Sequence, residues 1–214
     1  MIIYGSTLSP FVRKVVAFCA EKGIEPELKF AGMGRGGPEF DAASPFRKMP
    51  AMLDDGFALA DSSAIVHYVE AKHPTPDLIP TDPKARGRTI WFDEFADTIF
   101  MACGIKLFFN RFVSPRVLKV PGDLAAADVA ERDELPPLLD YLETQIPPSG
   151  FLVEDRLTLA DIAVASPFVN LRHLDVALDA GRHPKVVAYL EAILARPSFA
   201  PTIEAETRMI AAMA

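Results

Sequence analysis

The sequence is poor in cysteine, poor in tryptophan and short of positive charge. Two cysteines, Cys19 and Cys103, among 214 residues make neither a disulfide framework nor a zinc site. The four histidines, at 67, 73, 173 and 183, show no metal-ligand spacing, so no metal is expected. Lys and Arg number 22 against 29 Asp and Glu, a net charge of −7, which argues against nucleic acid or an anionic membrane as the main partner. No uninterrupted apolar run approaches the roughly 20 residues needed to span a bilayer. The opening residues, MIIYGSTLSPFVRKVV, lack the basic start, apolar stretch and small-residue cleavage site of a secretory signal. These absences lead to the expectation of a reduced, cytoplasmic globular protein. What is present agrees with that, since half of the chain is apolar and 24% is charged. Such a chain can bury a sizeable core in one or two domains.

The chain changes character near residue 75. Seven of the 12 glycines and every plausible strand fall in the first 60 residues. Met1–Tyr4 is a short apolar run ended by Gly5-Ser6, and Leu28 and Phe30 alternate with charge as in a half-exposed strand. Ala51-Met-Leu53 and Phe57-Ala-Leu59 flank Asp54-Asp55-Gly56, a hairpin signal. Helical spacing of Val12, Val15, Val16 and Cys19 predicts a helix over 10–21 with Gly23 as its stop, and Ile65, Val66 and Val69 predict another over 61–72. With a short helix before residue 45, the order is βαβαββα, a small mixed sheet with helices packed on it. Prolines at 74, 76, 80 and 83 then predict an extended linker over 76–83, dividing 1–75 from 84–214. Beyond it only helices are expected: 84–112, 124–146 with a break at Pro136-Pro137, 157–174, 184–195, and a last one opened by Pro197.

Three segments could carry chemistry. In Ser6-Thr-Leu-Ser-Pro-Phe-Val-Arg13, Pro10 favours the first helical position. Ser9 then sits where unpaired N–H groups and the positive end of the helix dipole converge. Its hydroxyl either caps the helix, the commoner use of such a serine, or donates to an anion such as a thiolate. In Arg47-Lys48-Met49-Pro50-Ala51, a cis Met49-Pro50 bond would leave the Met49 main chain free to pair with an extended ligand, whereas base rates favour a trans proline opening a strand. In Leu59-Ala-Asp61-Ser62-Ser63-Ala-Ile65 a strand runs straight into a helix. The N–H groups and a serine hydroxyl there suit a carboxylate and Asp61 suits an ammonium, although Asp61 or Ser62 also fits a simple cap.

Two further patterns read as structural. Gly32-Met-Gly34-Arg-Gly36-Gly37 matches the spacing of a dinucleotide loop. The helix after it must end by Ser44-Pro45, too short for a crossover, and the strand before it alternates with charge. A glycine-rich loop is the better reading. Thr158-Leu-Ala-Asp161 is a capping box, with Leu157 placed as a staple.

Taken in this order and spacing, Ser-Pro-Phe-x-x-Arg, Lys-Met-Pro, Asp-Ser-Ser-Ala-Ile and Thr-Leu-Ala-Asp resemble a cytosolic glutathione transferase of the serine type, over essentially the whole chain. The resemblance implies a thioredoxin-like α/β N-terminal domain and an all-α C-terminal domain, usually as a homodimer. Ser9 matches the serine that holds the glutathione thiolate. Met49, before a proline that is cis in the family, would pair its main chain with the cysteinyl part. Asp61 and Ser62 match the acid and serine that grip the γ-glutamyl end, and Lys48, with Arg35, lies where the glycyl carboxylate is met. A small hydrophobic electrophile would lie between the domains against Leu8, Phe11, Phe100, Cys103, Gly104 and Phe108. Glutathione is then a co-substrate, and no cofactor is implied.

The chemistry implied is thiolate stabilisation. A thiol with a reference pKa of about 8.5 is mostly protonated near neutral pH, and one hydroxyl plus a helix N-terminus could lower it by about one to two units. Ser9 in place of a cysteine points to conjugation or peroxide reduction over thiol exchange. Two other readings share the motifs. One is a non-catalytic binding or regulatory module on the same fold, and the other a glutathione-dependent lyase, isomerase or dehalogenase acting on one metabolite.

Overall fold

The computed structural model describes residues 1–32 and 34–213. Met33, inside the glycine-rich pattern, lies outside the described residues. Four strands form one sheet: β1 (Ile2–Tyr4), β2 (Glu27–Lys29), β3 (Ala51–Asp54) and β4 (Phe57–Ala60), in the order β2-β1-β3-β4. β2 runs parallel to β1, β3 antiparallel to β1, and β4 antiparallel to β3. Helices α1 (Pro10–Glu21), α2 (Gly37–Ala43) and α3 (Ser62–Lys72) complete the expected βαβαββα order. β2 lies at the edge of the sheet and is more exposed than its charge alternation predicts, with Leu28 and Phe30 both exposed and Lys29 half-buried, because no element among the described residues covers that edge. α2 is only 7 residues long, which removes the crossover helix a dinucleotide site needs.

All later regular elements are helical, apart from one isolated bridge between Val153 and Arg156. α4 (Pro83–Glu94) continues through a π-helical stretch, Phe95–Phe100, into α5 (Met101–Phe108) and then a second such stretch, Phe109–Leu118. The expected 84–112 helix therefore runs on to residue 118, past Pro115, because the wider turn accommodates a residue that an α-helical interior rejects. α6 (Leu124–Val129) passes through a third π-helical stretch into α7 (Leu135–Gln145), whose first turn holds Pro136 and Pro137. α8 (Leu159–His173) and α9 (Pro184–Leu194) fall where the periodicity places them. α10 (Ala200–Ala211) starts later than Pro197 suggests, because Phe199 N–H and Ser198 Oγ are spent on Arg196 O and Glu21.

Segment 73–82, between α3 and α4, has neither helix nor strand yet is firmly docked. Leu78 and Ile79 are buried, Leu159 N–H donates to the Leu78 carbonyl at 2.8 Å, and Lys22 and Arg156 both bond its carbonyls. One hydrophobic core runs from Ile3, Val12 and Phe18 in the sheet layer through Phe92 and Phe100 to α8 and Phe199. α8 is its axis, buried from Leu159 to Leu171. Asp161 holds the helix start: its carboxylate accepts from Thr158 N–H and Leu152 N–H, each at 2.9 Å.

Candidate functional site

Strand register brings the three chemistry-bearing segments to one end of the sheet. Lys29, Tyr4, Ala51 and Ala60 lie in one row across β2, β1, β3 and β4. Just beyond that row lie the glycine-rich loop, the turn leading to Ser9, the Met49-Pro50 bond and the Asp61-Ser62 junction. The sheet thus gathers residues that the sequence separates.

Ser9 occupies the N-cap position of α1 but does not use its side chain as a cap. It is 9% exposed, and its hydroxyl makes no hydrogen bond among the described residues. The backbone is held, with Ser9 N–H on Ser6 O at 2.9 Å and Arg13 N–H on Ser9 O at 3.0 Å. Phe11 and Val12 N–H, in the first turn, have no partner within the helix. A hydroxyl donor and two amides therefore share the positive end of α1, a combination suited to an anion. Its side chain caps nothing among the described residues.

The Met49-Pro50 bond is cis. The turn before it is pinned by Ser44 Oγ, which donates to Lys48 O at 2.7 Å and accepts from Lys48 N–H at 2.9 Å. Met49 N–H and C=O bond nothing among the described residues. The Met49 side chain packs so closely on Gly32, at φ +118°, that an added Cβ there would meet its Cε at 2.9 Å. Glycine at 32 is thus needed for its backbone at φ +118°, while the contact with the end of the flexible Met49 side chain can be relieved by a shift of that side chain. That contact brings the loop carrying Arg35 beside Met49. Arg35 pairs its main chain with Gly32, and the side chains of Arg35 and Lys48 are exposed.

Asp61 is the N-cap of α3, its Oδ1 accepting from Ser63 N–H at 2.9 Å and Ala64 N–H at 3.1 Å. Its backbone sits at φ +82°, ψ +132°, a region that costs a non-glycine residue about 1–3 kcal/mol and persists where the surroundings enforce it. The cap uses Oδ1 alone, and Oδ2 bonds nothing among the described residues. Ser62 is buried and lies on a polar cluster that sequence reasoning missed. Lys14 Nζ pairs with Asp93 at 2.7 Å and Asp97 at 2.6 Å, while the single Ser63 hydroxyl hydrogen is donated to Asp93 at 2.7 Å and Ser62 donates to Asp97 at 3.3 Å. Burial pushes the Asp97 carboxyl above its ordinary range, the opposing charge of Lys14 notwithstanding. A lysine on the apolar face of α1 and two carboxylates four residues apart on a core-facing helix were the available signal.

Residues 3–77 match the glutathione S-transferase N-terminal domain and residues 100–197 the glutathione S-transferase C-terminal domain. Glutathione S-transferase 3 of Zea mays is 31% identical over 210 residues, covering 95% of this chain and 93% of the maize protein. The uncharacterized GST-like protein YibF of Escherichia coli (strain K12) is 31% identical over 94% of this chain and 98% of its own. The structure of glutathione S-transferase III in apo form superposes with a TM-score of 0.81 at 31% identity, over 95% of both chains. The chain belongs to the glutathione S-transferase family.

The residues expected to line a pocket for an apolar electrophile stand apart in burial. Leu8 and Phe11 flank Ser9 and are half-buried, while Phe108 is nearly buried and stacks on Phe112 with ring centroids 4.9 Å apart. Phe100 is packed on Phe168 in the core. Cys103 is turned toward Ala130, its Sγ 3.5 Å from that carbonyl, and burial pushes its thiol up to about 11. Cys19 is likewise buried and pushed up to about 12. Neither cysteine has the exposed, electropositive setting of a reactive thiol.

Proposed function

We propose that this transferase-family protein conjugates the glutathione thiolate to a small hydrophobic electrophile, with peroxide reduction as a second outlet for the same thiolate. One observation carries the reading: the Ser9 hydroxyl, at a helix N-terminus, is spent on no cap. Glutathione lies extended along the end of the sheet. Its cysteinyl amide pairs with the Met49 main chain, its γ-glutamyl group meets Asp61 and Ser62, and its glycyl carboxylate meets Lys48 and Arg35. Ser9 donates to the sulfur and the open amides of α1 add their field, so the nucleophile belongs to glutathione and Ser9 itself attacks nothing. The electrophile lies against Leu8, Phe11 and Phe108; Cys103, buried and turned toward Ala130, takes no part. Glutathione is a co-substrate and no cofactor takes part.

Ser9→Ala is the direct test by steady-state conjugation of an activated aryl halide near neutral pH. One hydroxyl bond worth about one to two pKa units corresponds to a loss of about 10- to 100-fold in kcat/KM, with recovery as pH rises. The KM for glutathione is expected to stay within a few fold, because Met49, Asp61 and Ser62 still grip the tripeptide. Unchanged activity would remove Ser9 from this role. A wild type that fails to bind millimolar glutathione would favour the non-catalytic module. We also infer a homodimer, supported by exposed Phe46, Phe57, Trp91 and Ile105. Light scattering is expected to return twice the 23.4 kDa chain mass, and a monomer mass would rule the dimer out.

A further inference from the structure

The segment carrying Ser9 is clamped from α8. Asn170 Nδ2 donates to the Leu8 carbonyl at 2.9 Å and Ser166 Oγ to the Pro10 carbonyl at 2.7 Å. The carbonyls immediately before and after Ser9 are therefore each held by a side chain of the helical layer. Ser166 and Asn170 are four residues apart, so they share one face of α8.

The Asn170 amide has its orientation set for it. Its Oδ1 accepts from Arg13 Nη1 at 2.9 Å, leaving only Nδ2 to meet Leu8. Arg13 is wholly buried and in turn fixed by Glu206 on α10, Nε to Oε1 at 3.0 Å and Nη2 to Oε2 at 2.8 Å, with Nη1 also on Ser166 O at 2.7 Å. His173 Nε2 lies 2.9 Å from the same carboxylate. The order of support runs from α10 through Arg13 to Asn170 and then to the Leu8 carbonyl.

We propose that Asn170 and Ser166 are positioning residues for the Ser9 hydroxyl: by fixing the carbonyls on both sides of Ser9 they set the direction in which it donates to the glutathione sulfur. The inference rests on the Ser9 reading above. Both residues make neutral bonds to main-chain carbonyls, so their influence on the thiol passes through the placement of Ser9. A hydrogen bond weakens steeply as its angle opens, and the bound thiol reports that loss directly.

The test is a double-mutant cycle on the pKa of glutathione thiol bound to the full-length protein, read by thiolate absorbance against pH with calorimetric affinity alongside. Asn170→Ala is expected to raise the bound thiol pKa by half or more of the shift that Ser9→Ala produces, leaving glutathione affinity within about twofold. In the Ser9→Ala background, Asn170→Ala is expected to add nothing. An Asn170→Ala protein with an unmoved thiol pKa, or an effect that persists without the Ser9 hydroxyl, overturns the inference while the Ser9 reading stands. If Ser9→Ala itself leaves the thiol unmoved, that reading falls and this inference with it. Ser166→Ala enters the same cycle in place of Asn170→Ala if the latter does not fold, with the same expectations.

Discussion

Glu206→Ala is expected to destabilise the protein by about 3–5 kcal/mol, because it strands a buried guanidinium. Arg13 has no exposed surface, and Glu206 supplies the acceptors for its Nε and Nη2. Burial pushes the Glu206 carboxyl up, but the hydrogen bond from His173 and the charge of Arg13 outweigh it and hold it below the usual range. Removing Glu206 leaves the cation in the core with Ser166 O and Asn170 as its remaining partners. The pair itself need not be a large net gain, since two charges had to leave water to form it. Replacing both partners with apolar residues, as Arg13→Met with Glu206→Leu, is therefore expected to cost less than Glu206→Ala alone. Urea midpoints at fixed protein concentration check both statements. A double variant that adds the two single losses would contradict this account of the pair.

Asp161→Ala comes close behind. Asp161 accepts from two buried N–H groups, of Leu152 and Thr158, and from the Thr158 hydroxyl at 3.3 Å. Orphaning two such donors costs about 2–5 kcal/mol in total, and the helix that loses its start is the one carrying Ser166 and Asn170. The same residue gives a pH dependence of stated sign. Burial pushes its carboxyl from 3.8 up to about 6, so the folded chain holds a proton that the unfolded chain releases. Its contribution to stability is fully present below about pH 4 and lost as pH rises through about 6, a change on the order of 3 kcal/mol. Wild type is accordingly expected to lose stability relative to Asp161→Asn across that window in urea titrations. A difference that stays constant with pH would show that the Asp161 carboxyl is not raised.

The sequence makes the element order readable because its signals are local. Gly5, Asp54-Asp55-Gly56 and the prolines after His73 punctuate the chain, and Val12, Val15 and Cys19 repeat at helical spacing. The π-helical stretches from Phe95 and Phe109 are not readable that way, since the wider turn is defined by backbone bonds that no local residue pattern here states. The cis bond at Met49-Pro50 follows from the resemblance, for base rates alone favour trans. Arg13 and Lys14 look like surface residues, because long cations are seldom buried. Their partners Glu206, Asp93 and Asp97 lie far along the chain, on helices whose packing no local pattern states. Ser9 was ambiguous for a different reason. A cap and a thiolate donor use the same residue at the same position, so the sequence alone does not separate them; the structure adds that the hydroxyl makes no cap bond.

The most direct test of the central claim is the thiol pKa of glutathione bound to the wild-type protein, taken from thiolate ultraviolet absorbance across pH with calorimetry fixing occupancy. Binding with a thiol pKa about one to two units below the reference value of about 8.5, and a return toward that value in Ser9→Ala, is the result this structure leads to. Binding with an unshifted thiol, or a shift that Ser9→Ala leaves intact, would contradict it.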